Sequence, residues 1–223
     1  MIVVVPPKDY LDHASDLLEM HKLRHRAFVE RLDWSVRSVN GLEIDSFDAL
    51  GPTYFLAFDA TDRLVGTTRL LPTSGPTMLR DVFPQLLDGR RLPASDDVWE
   101  CSRFASECKS GTKASLGTLN RITAEIFAAM VEFCLEEQIS EVVVAYDVFI
   151  ARLLKRVGCL PQWQGKGHRI ENTIAVAGWF DATEELLANI RKLNGIKGSV
   201  IHRRRPVAPT PVYTHTELLD YVA

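Results

Sequence analysis

The stretch YFLAFDATDRLVGTTRLL, residues 54–71, decides the architecture of this chain. Two runs rich in aromatic and β-branched residues, 54–58 and 64–71, flank the polar turn Ala60-Thr61-Asp62-Arg63, the pattern of a β-hairpin. A hairpin makes its two strands antiparallel, so the sheet it belongs to is not the all-parallel kind. Arg69 sits inside the second run. A charge there either faces solvent on an antiparallel sheet or points into a cleft with carboxylate partners.

Moving outward from the hairpin, residues 2–5 read as a short strand, and residues 9–31 as one helix or two broken near His21, with Leu11, Leu17, Leu18, Leu23, Ala27 and Phe28 inward. Downstream, Pro72 to Pro76 ends the hairpin, and residues 78–87 suggest a short helix or turn in which Phe83 precedes Pro84. DDVWECSRFAS, residues 96–106, reads as a strand with Val98, Glu100, Ser102 and Phe104 alternating against Trp99, Cys101 and Arg103. On a regular strand Glu100 and Arg103 lie on opposite faces; they share one site only if a bulge falls between them.

A long helix over residues 115–138 carries Leu116, Leu119, Ile122, Ile126, Met130 and Phe133 at helical spacing. The loop KSGTK before it, residues 109–113, has two lysines and a glycine, and suits either a bound phosphate or a plain surface loop. Residues 142–146 form a buried strand, 149–157 a helix closed by Gly158, and 172–177 another strand. The last helix spans 181–194, with Asp181 and Glu184 as a capping box and Gly195 as its stop. The expected fold is α/β (α+β): one domain over residues 1–195 with a mixed, mostly antiparallel sheet flanked by helices. A basic, proline-containing tail over 196–223 is expected to be mobile or loosely docked.

Composition narrows the function. With 223 residues, 46% apolar and 25% charged, the chain can bury a sizeable core, and a net charge of -3 gives no general attraction to nucleic acid. The opening MIVVVPPKDY holds an apolar run too short for a signal peptide, and no later run approaches a membrane span, so a cytoplasmic protein is expected. Cys101, Cys108, Cys134 and Cys159 contain no CxxC pair, which favours reduced thiols over a disulfide frame or a metal site.

One region gathers binding groups of several kinds. RHRAFVERLDWSVRSVNGLEIDSFD, residues 24–48, begins as a helix in which Arg24 and Phe28 lie one turn apart, so a guanidinium is expected beside an aromatic face. Trp34 follows, and then Glu43, Asp45 and Asp48 crowd between Ile44 and Phe47. A small ligand bearing a cation, a carboxylate and a flat ring would use all of these; an amphipathic helix with a solvated acidic loop is the plainer alternative.

Taken together, Arg24, Phe28, Trp34, Glu43, Asp45, Asp48, Arg69, Phe83, Glu100 and Arg103 resemble, in order and spacing, the signature of the acyl-homoserine lactone synthases, the autoinducer synthases of bacterial quorum sensing. The resemblance covers residues 1 to about 180 and is most specific over 24–103, including the EIDSFD, TTRLLPT and WECSRF segments. It implies a fold similar to the GNAT acetyltransferases and two substrates. S-adenosylmethionine gives its amine to the acyl group of a thioester, and the methionyl carboxylate then closes on its own γ-carbon, expelling methylthioadenosine. Adenosylmethionine is thus a substrate, and neither cofactor nor metal is expected.

The resemblance also implies roles. Glu100 is the expected base for the amine. Asp45 and Asp48 would hold the ammonium or sulfonium side, and Arg24 or Arg103 the carboxylate. Phe28 and Trp34 would wall the adenosine, and Arg69 would stiffen the carboxylates as their ion-pair partner. The acyl chain is expected between sheet and helices against Met130, Val144, Ile150 and Leu116, with Phe83 at its entrance and backbone N–H groups near Phe104 for the oxyanion. Val144 brings no hydroxyl, which favours an unsubstituted or 3-hydroxy chain. Arg152, Lys155 and Arg156 would form one basic helical face for an acidic acyl carrier protein, with acyl-coenzyme A as the other donor. No nucleic acid or membrane partner is expected, and the chain should be a monomer or weak dimer. The rival readings are a GNAT-type N-acetyltransferase using acetyl-coenzyme A, whose phosphate-loop pattern residues 109–117 lack, and a non-catalytic module binding a small ligand.

Overall fold

Residues 1–107 and 113–202 are described by a computed structural model, with residues 113–116 and 118 placed by their backbone only. In chain order the elements are β1 (Ile2–Val5), α1 (Ala14–His25), β2 (Ser38–Val39), β3 (Leu42–Glu43), β4 (Thr53–Phe58), β5 (Leu64–Pro72), α2 (Met78–Asp81) and β6 (Val98–Ser106). They continue with α3 (Lys113–Glu136), β7 (Glu141–Asp147), α4 (Val148–Val157), β8 (Trp163–Gln164), β9 (His168–Ile170), β10 (Thr173–Asp181) and α5 (Glu184–Asn194). One sheet runs β1-β4-β5-β6-β7-β10-β8, with β9 also on β10, and β2-β3 form a separate hairpin.

The hairpin of residues 54–71 is present as β4 and β5, and the sheet is mostly antiparallel as expected. Among the described strands the parallel pair is β6–β7, whose crossover is α3. Every residue of β4 is buried because the sheet is covered on both sides. Phe55 and Ala57 enter a core with Ile126, Phe127 and Met130 of α3, while Tyr54, Leu56 and Phe58 meet Met20 and Leu23 of α1.

Two irregularities shape the molecule. The β6–β7 register ends at Cys101↔Val144, although β6 continues to Ser106 and β7 to Asp147, so the two strands part beyond that point. Between the β5–β6 pairs Arg69↔Ser102 and Thr67↔Ala105 one residue is inserted on β6, a bulge at Arg103 and Phe104, with Arg103 in the left-handed region at φ 54°. The inserted residue reverses the alternation. Glu100, Ser102 and Arg103 then share the α1 side of the sheet, and Phe104 turns to the α3 side against Phe127.

Several expectations need correction. The N-terminal helix does not break near His21: α1 runs to His25 and widens into a π-turn over Arg26–Arg31, a wider ring that displaces the following side chains. Leu11 is 92% exposed and Leu18 45%, because the helix begins only at Ala14 and turns a narrow Met20–Leu23–Ala27 stripe inward. The last helix is capped by the Thr183 side chain, not by Asp181, which ends the longer strand β10. The segment after Gly195 is docked as far as His202: Ile201 bridges Ile2 in parallel, and Glu132 accepts from Ser199 Oγ at 2.6 Å. Residues 203–223 of the tail, the 109–112 portion of the lysine loop and the Leu116 side chain lie outside the described residues.

Candidate active site

Six side chains from four places in the chain close into one ring of alternating charge. Arg24 of α1 donates from Nε to Glu43 Oε2 at 2.5 Å and grips Asp48 with both Nη atoms, at 2.8 and 2.9 Å. Asp48 also accepts from Arg69 Nη1 at 2.7 Å. Arg69 in turn forks onto Asp45 at 2.6 and 2.8 Å. Asp45 pairs with Arg103 Nη2 at 2.7 Å, and Arg103 Nε returns to Glu43 Oε1 at 3.1 Å. Three guanidinium groups balance three carboxylates, which is what permits so many charges below the surface.

Local backbone structure fixes the acidic members. The Asp45 side chain caps the short turn Ser46–Leu50 by accepting from Phe47 N and Asp48 N, and Asp48 Oδ2 accepts from Asp45 N in return, a reciprocal capping box. Glu43 stands at the end of β3, where His21 Nδ1 lies 2.9 Å from its carbonyl oxygen. Tyr54, paired in register with Arg69 across the hairpin, donates its hydroxyl to Asp48 Oδ1 at 2.8 Å. Burial alone would raise the carboxyls of Asp45 and Asp48; the bonds and charges of Arg69 for the first, and of Arg24 for the second, outweigh it and hold both below the usual carboxylate range.

The ring is sealed on one side and open on the other. Arg24, Glu43 and Arg69 are fully buried, whereas the side chains of Arg103 and Asp45 keep 12% and 14% of their surface. The more exposed edge of the ring thus presents an arginine and an aspartate side by side. Beside them the Phe28 and Trp34 rings stack at 5.3 Å and 3°, and the guanidinium over the Phe28 ring is that of Arg103, 5.7 Å from its centroid. The sequence pointed to Arg24 for that place; Arg24 turns inward to its two carboxylates instead.

Glu100 adjoins the ring through Met78. Its two oxygens accept from Met78 N and Leu79 N, each at 2.7 Å, while Met78 Sδ lies 3.4 Å from Arg103 Nη1 and 3.7 Å from Arg69 Nη2. Burial pushes the Glu100 carboxyl up to about 7, against the opposing pull of those two N–H bonds.

On the other face of the sheet Met130 and Val144 belong to one apolar cluster, with Phe104 and Ile150 packed at its edge. Phe83 is not among them: it packs at the edge of two other clusters, one of Phe47, Leu71 and Met78 beside the charged ring and one that includes Leu79, Leu86 and Trp179. Arg152, Lys155 and Arg156 all point to solvent from α4. Sequence reasoning singled out Glu43 within the acidic cluster without a separate role, and passed over Tyr54 and Met78. The register of the hairpin carried the signal for Tyr54, since it sets Tyr54 opposite Arg69; nothing in the sequence marked Met78.

A family model described as Autoinducer synthase matches residues 8–190. The chain is 40% identical over 182 residues to an acyl-homoserine-lactone synthase of Rhizobium radiobacter, which is 82% of this chain and 86% of that protein. Among solved structures it is similar to BjaI, a CoA-dependent acyl-homoserine lactone synthase solved with SAM and isopentyl-CoA. The TM-score is 0.78 at 27% identity, over 93% of this chain and 94% of that one. A Lactobacillus plantarum protein described as an N-acetyltransferase shares the fold, with TM-score 0.52 at 13% identity over 82% of this chain and 98% of that one.

Proposed function

From a chain that belongs to the autoinducer synthase family and is an acyltransferase, an acyl-homoserine-lactone synthase, we infer a two-step reaction with the acyl group delivered by a carrier protein. In the first step the amine of S-adenosylmethionine attacks the thioester carbonyl; the C–N bond forms, the C–S bond breaks, and the thiol leaves with a proton. In the second the methionyl carboxylate attacks its own γ-carbon, the bond to the sulfonium breaks, and neutral methylthioadenosine departs with the bonding electron pair. The product is an N-acyl-L-homoserine lactone.

The open edge of the charge ring is the observation that carries this reading. Asp45 presents a carboxylate to the ammonium or sulfonium, and Arg103 a guanidinium to the methionyl carboxylate. The more deeply buried Arg24 and Arg69, with Asp48, hold those two in place, and Phe28 with Trp34 walls the adenosine. Because Arg103 is already paired, the incoming carboxylate shares its donors instead of leaving a buried charge alone. Glu100 takes the proton of the attacking amine through a water. A carboxyl near 7 is partly ionised at neutral pH and is still basic enough to accept it, and an α-amino group titrating near ~8 needs no stronger base.

The acyl chain enters where β6 and β7 part, along Met130, Val144, Phe104 and Ile150. Phe83, beside Met78, borders the adenosylmethionine side. The exposed cations of α4 favour an acidic carrier protein as donor. Likeness to a CoA-dependent synthase favours the second reading, acyl-coenzyme A. Incubation with adenosylmethionine and a panel of acyl-carrier-protein and acyl-coenzyme A thioesters, read by mass spectrometry, tests both: lactone with methylthioadenosine is expected, fastest from the carrier protein. A folded protein that binds adenosylmethionine and releases no methylthioadenosine from any donor would overturn the reaction.

A further inference from the structure

We infer that Asn120 of α3 accepts a hydrogen bond from the first amide N–H of a pantetheine arm, and thereby favours pantetheine thioesters over simpler ones. The inference rests on the reaction proposed above and adds a residue to its thioester site.

Asn120 Oδ1 is shut off from solvent and has no hydrogen-bond partner. A buried amide oxygen without a donor is destabilising. That deficit calls for a ligand donor wherever the site itself admits a ligand. Position decides the matter. Because β6 and β7 are parallel, α3 runs back between them, and its earlier residues lie toward the end where the strands separate. Asn120 precedes Phe127 by nearly two turns, so it projects to the same side, about 10 Å nearer that opening. Phe127 itself stacks on Phe104 at 5.7 Å, in the cluster that contains Met130 and Val144. Asn120 thus stands between the apolar cluster and the mouth, where α4 begins with the half-exposed Val148 and Phe149.

A thioester with its acyl chain in that cluster must thread its thiol side past Asn120. Coenzyme A and a carrier protein share that thiol side: the sulfur is followed by two methylenes and then an amide N–H. An acceptor one step outward from the reacting carbonyl matches this N–H, on the side of the sulfur away from the acyl chain. The neighbouring polar group on the same stretch, Thr123, does not compete for the role, since its hydroxyl donates to Leu119 O at 2.7 Å.

The test uses the full-length protein and two inert thioethers with the same acyl chain, one on pantetheine and one on ethanethiol, with Kd read by calorimetry. Asn120→Leu keeps the volume and removes the orphan oxygen, so its melting temperature should match or exceed the wild type, while its Kd for the pantetheine thioether rises about 5- to 10-fold. Its Kd for the ethyl thioether should stay the same, and Asn120→Asp, which keeps an oxygen acceptor in the same place, should retain the preference for the pantetheine thioether. Equal losses for both ligands, no loss, or no wild-type preference for the pantetheine form would each overturn the inference. Because the readout is binding, a wild type that prefers the pantetheine thioether and yet releases no methylthioadenosine would sink the proposed reaction and leave Asn120 in its role.

Discussion

Arg103 Nε reaches Glu43 Oε1 across 3.1 Å of space and 60 residues of sequence, and it does so from a left-handed backbone at φ 54°. The bulge that imposes this conformation also places Arg103 on the same face as Glu100. The Arg103 side chain thus reaches the ring from a left-handed backbone, a balance that a glycine can dissect.

Arg103→Ala and Arg103→Gly remove the same guanidinium, but only glycine is at ease in the left-handed region. The glycine variant should be the more stable of the two by about 1 kcal/mol in urea denaturation. Both should lose methylthioadenosine release by at least about 100-fold, on the order of 3 kcal/mol of transition-state stabilisation. Equal stability would mean that the bulge stores no strain.

Arg24 lies at the sealed end of the ring, so its loss leaves Glu43 and Asp48 buried with reduced compensation. Arg24→Met should cost about 3–5 kcal/mol. Chemical denaturation measures it. Arg24→Lys should recover only part, because an ammonium cannot fork onto both oxygens of Asp48 while reaching Glu43.

The Glu100 carboxyl has an ordinary value of 4.5 and is pushed up to about 7 in the fold. Between those values the folded chain holds a proton that the unfolded chain has released. Its contribution to stability is therefore fully present below about 4.5 and is lost as pH rises through about 7, by an amount on the order of 3 kcal/mol. Glu100→Gln should flatten that slope. The same variant should abolish the rise in turnover through neutral pH that the ionising base produces. A wild-type stability that climbs over this interval with no change in Glu100→Gln would refute the assignment.

Charge reversal on α4 separates the two donors. Arg152→Glu together with Arg156→Glu should raise KM for an acyl-carrier-protein donor about tenfold or more, since opposed charge slows encounter. KM for acyl-coenzyme A should move within about twofold, and the effect on the carrier should shrink at high salt. An equal shift for both donors would argue that these residues meet the thioester and not the protein that carries it.

The sequence by itself determined the hairpin and the mixed sheet, because each is a local signal, and the resemblance of its motif residues to a family signature named the ring members. Residues 54–71 state their own strand alternation, Gly158 and Gly195 mark helix ends in the left-handed region, and the acidic cluster of residues 43–48 is compact in the chain. Tertiary structure alone decided how those members pair. Arg24 turns from Phe28 to Glu43 and Asp48, Phe83 sits on the charged face, and Arg103 takes the place over the Phe28 ring; the last of these follows from one inserted residue in β6. Each such irregularity reverses or displaces every side chain beyond it, and its cost is met by long-range ion pairs that only the folded chain contains.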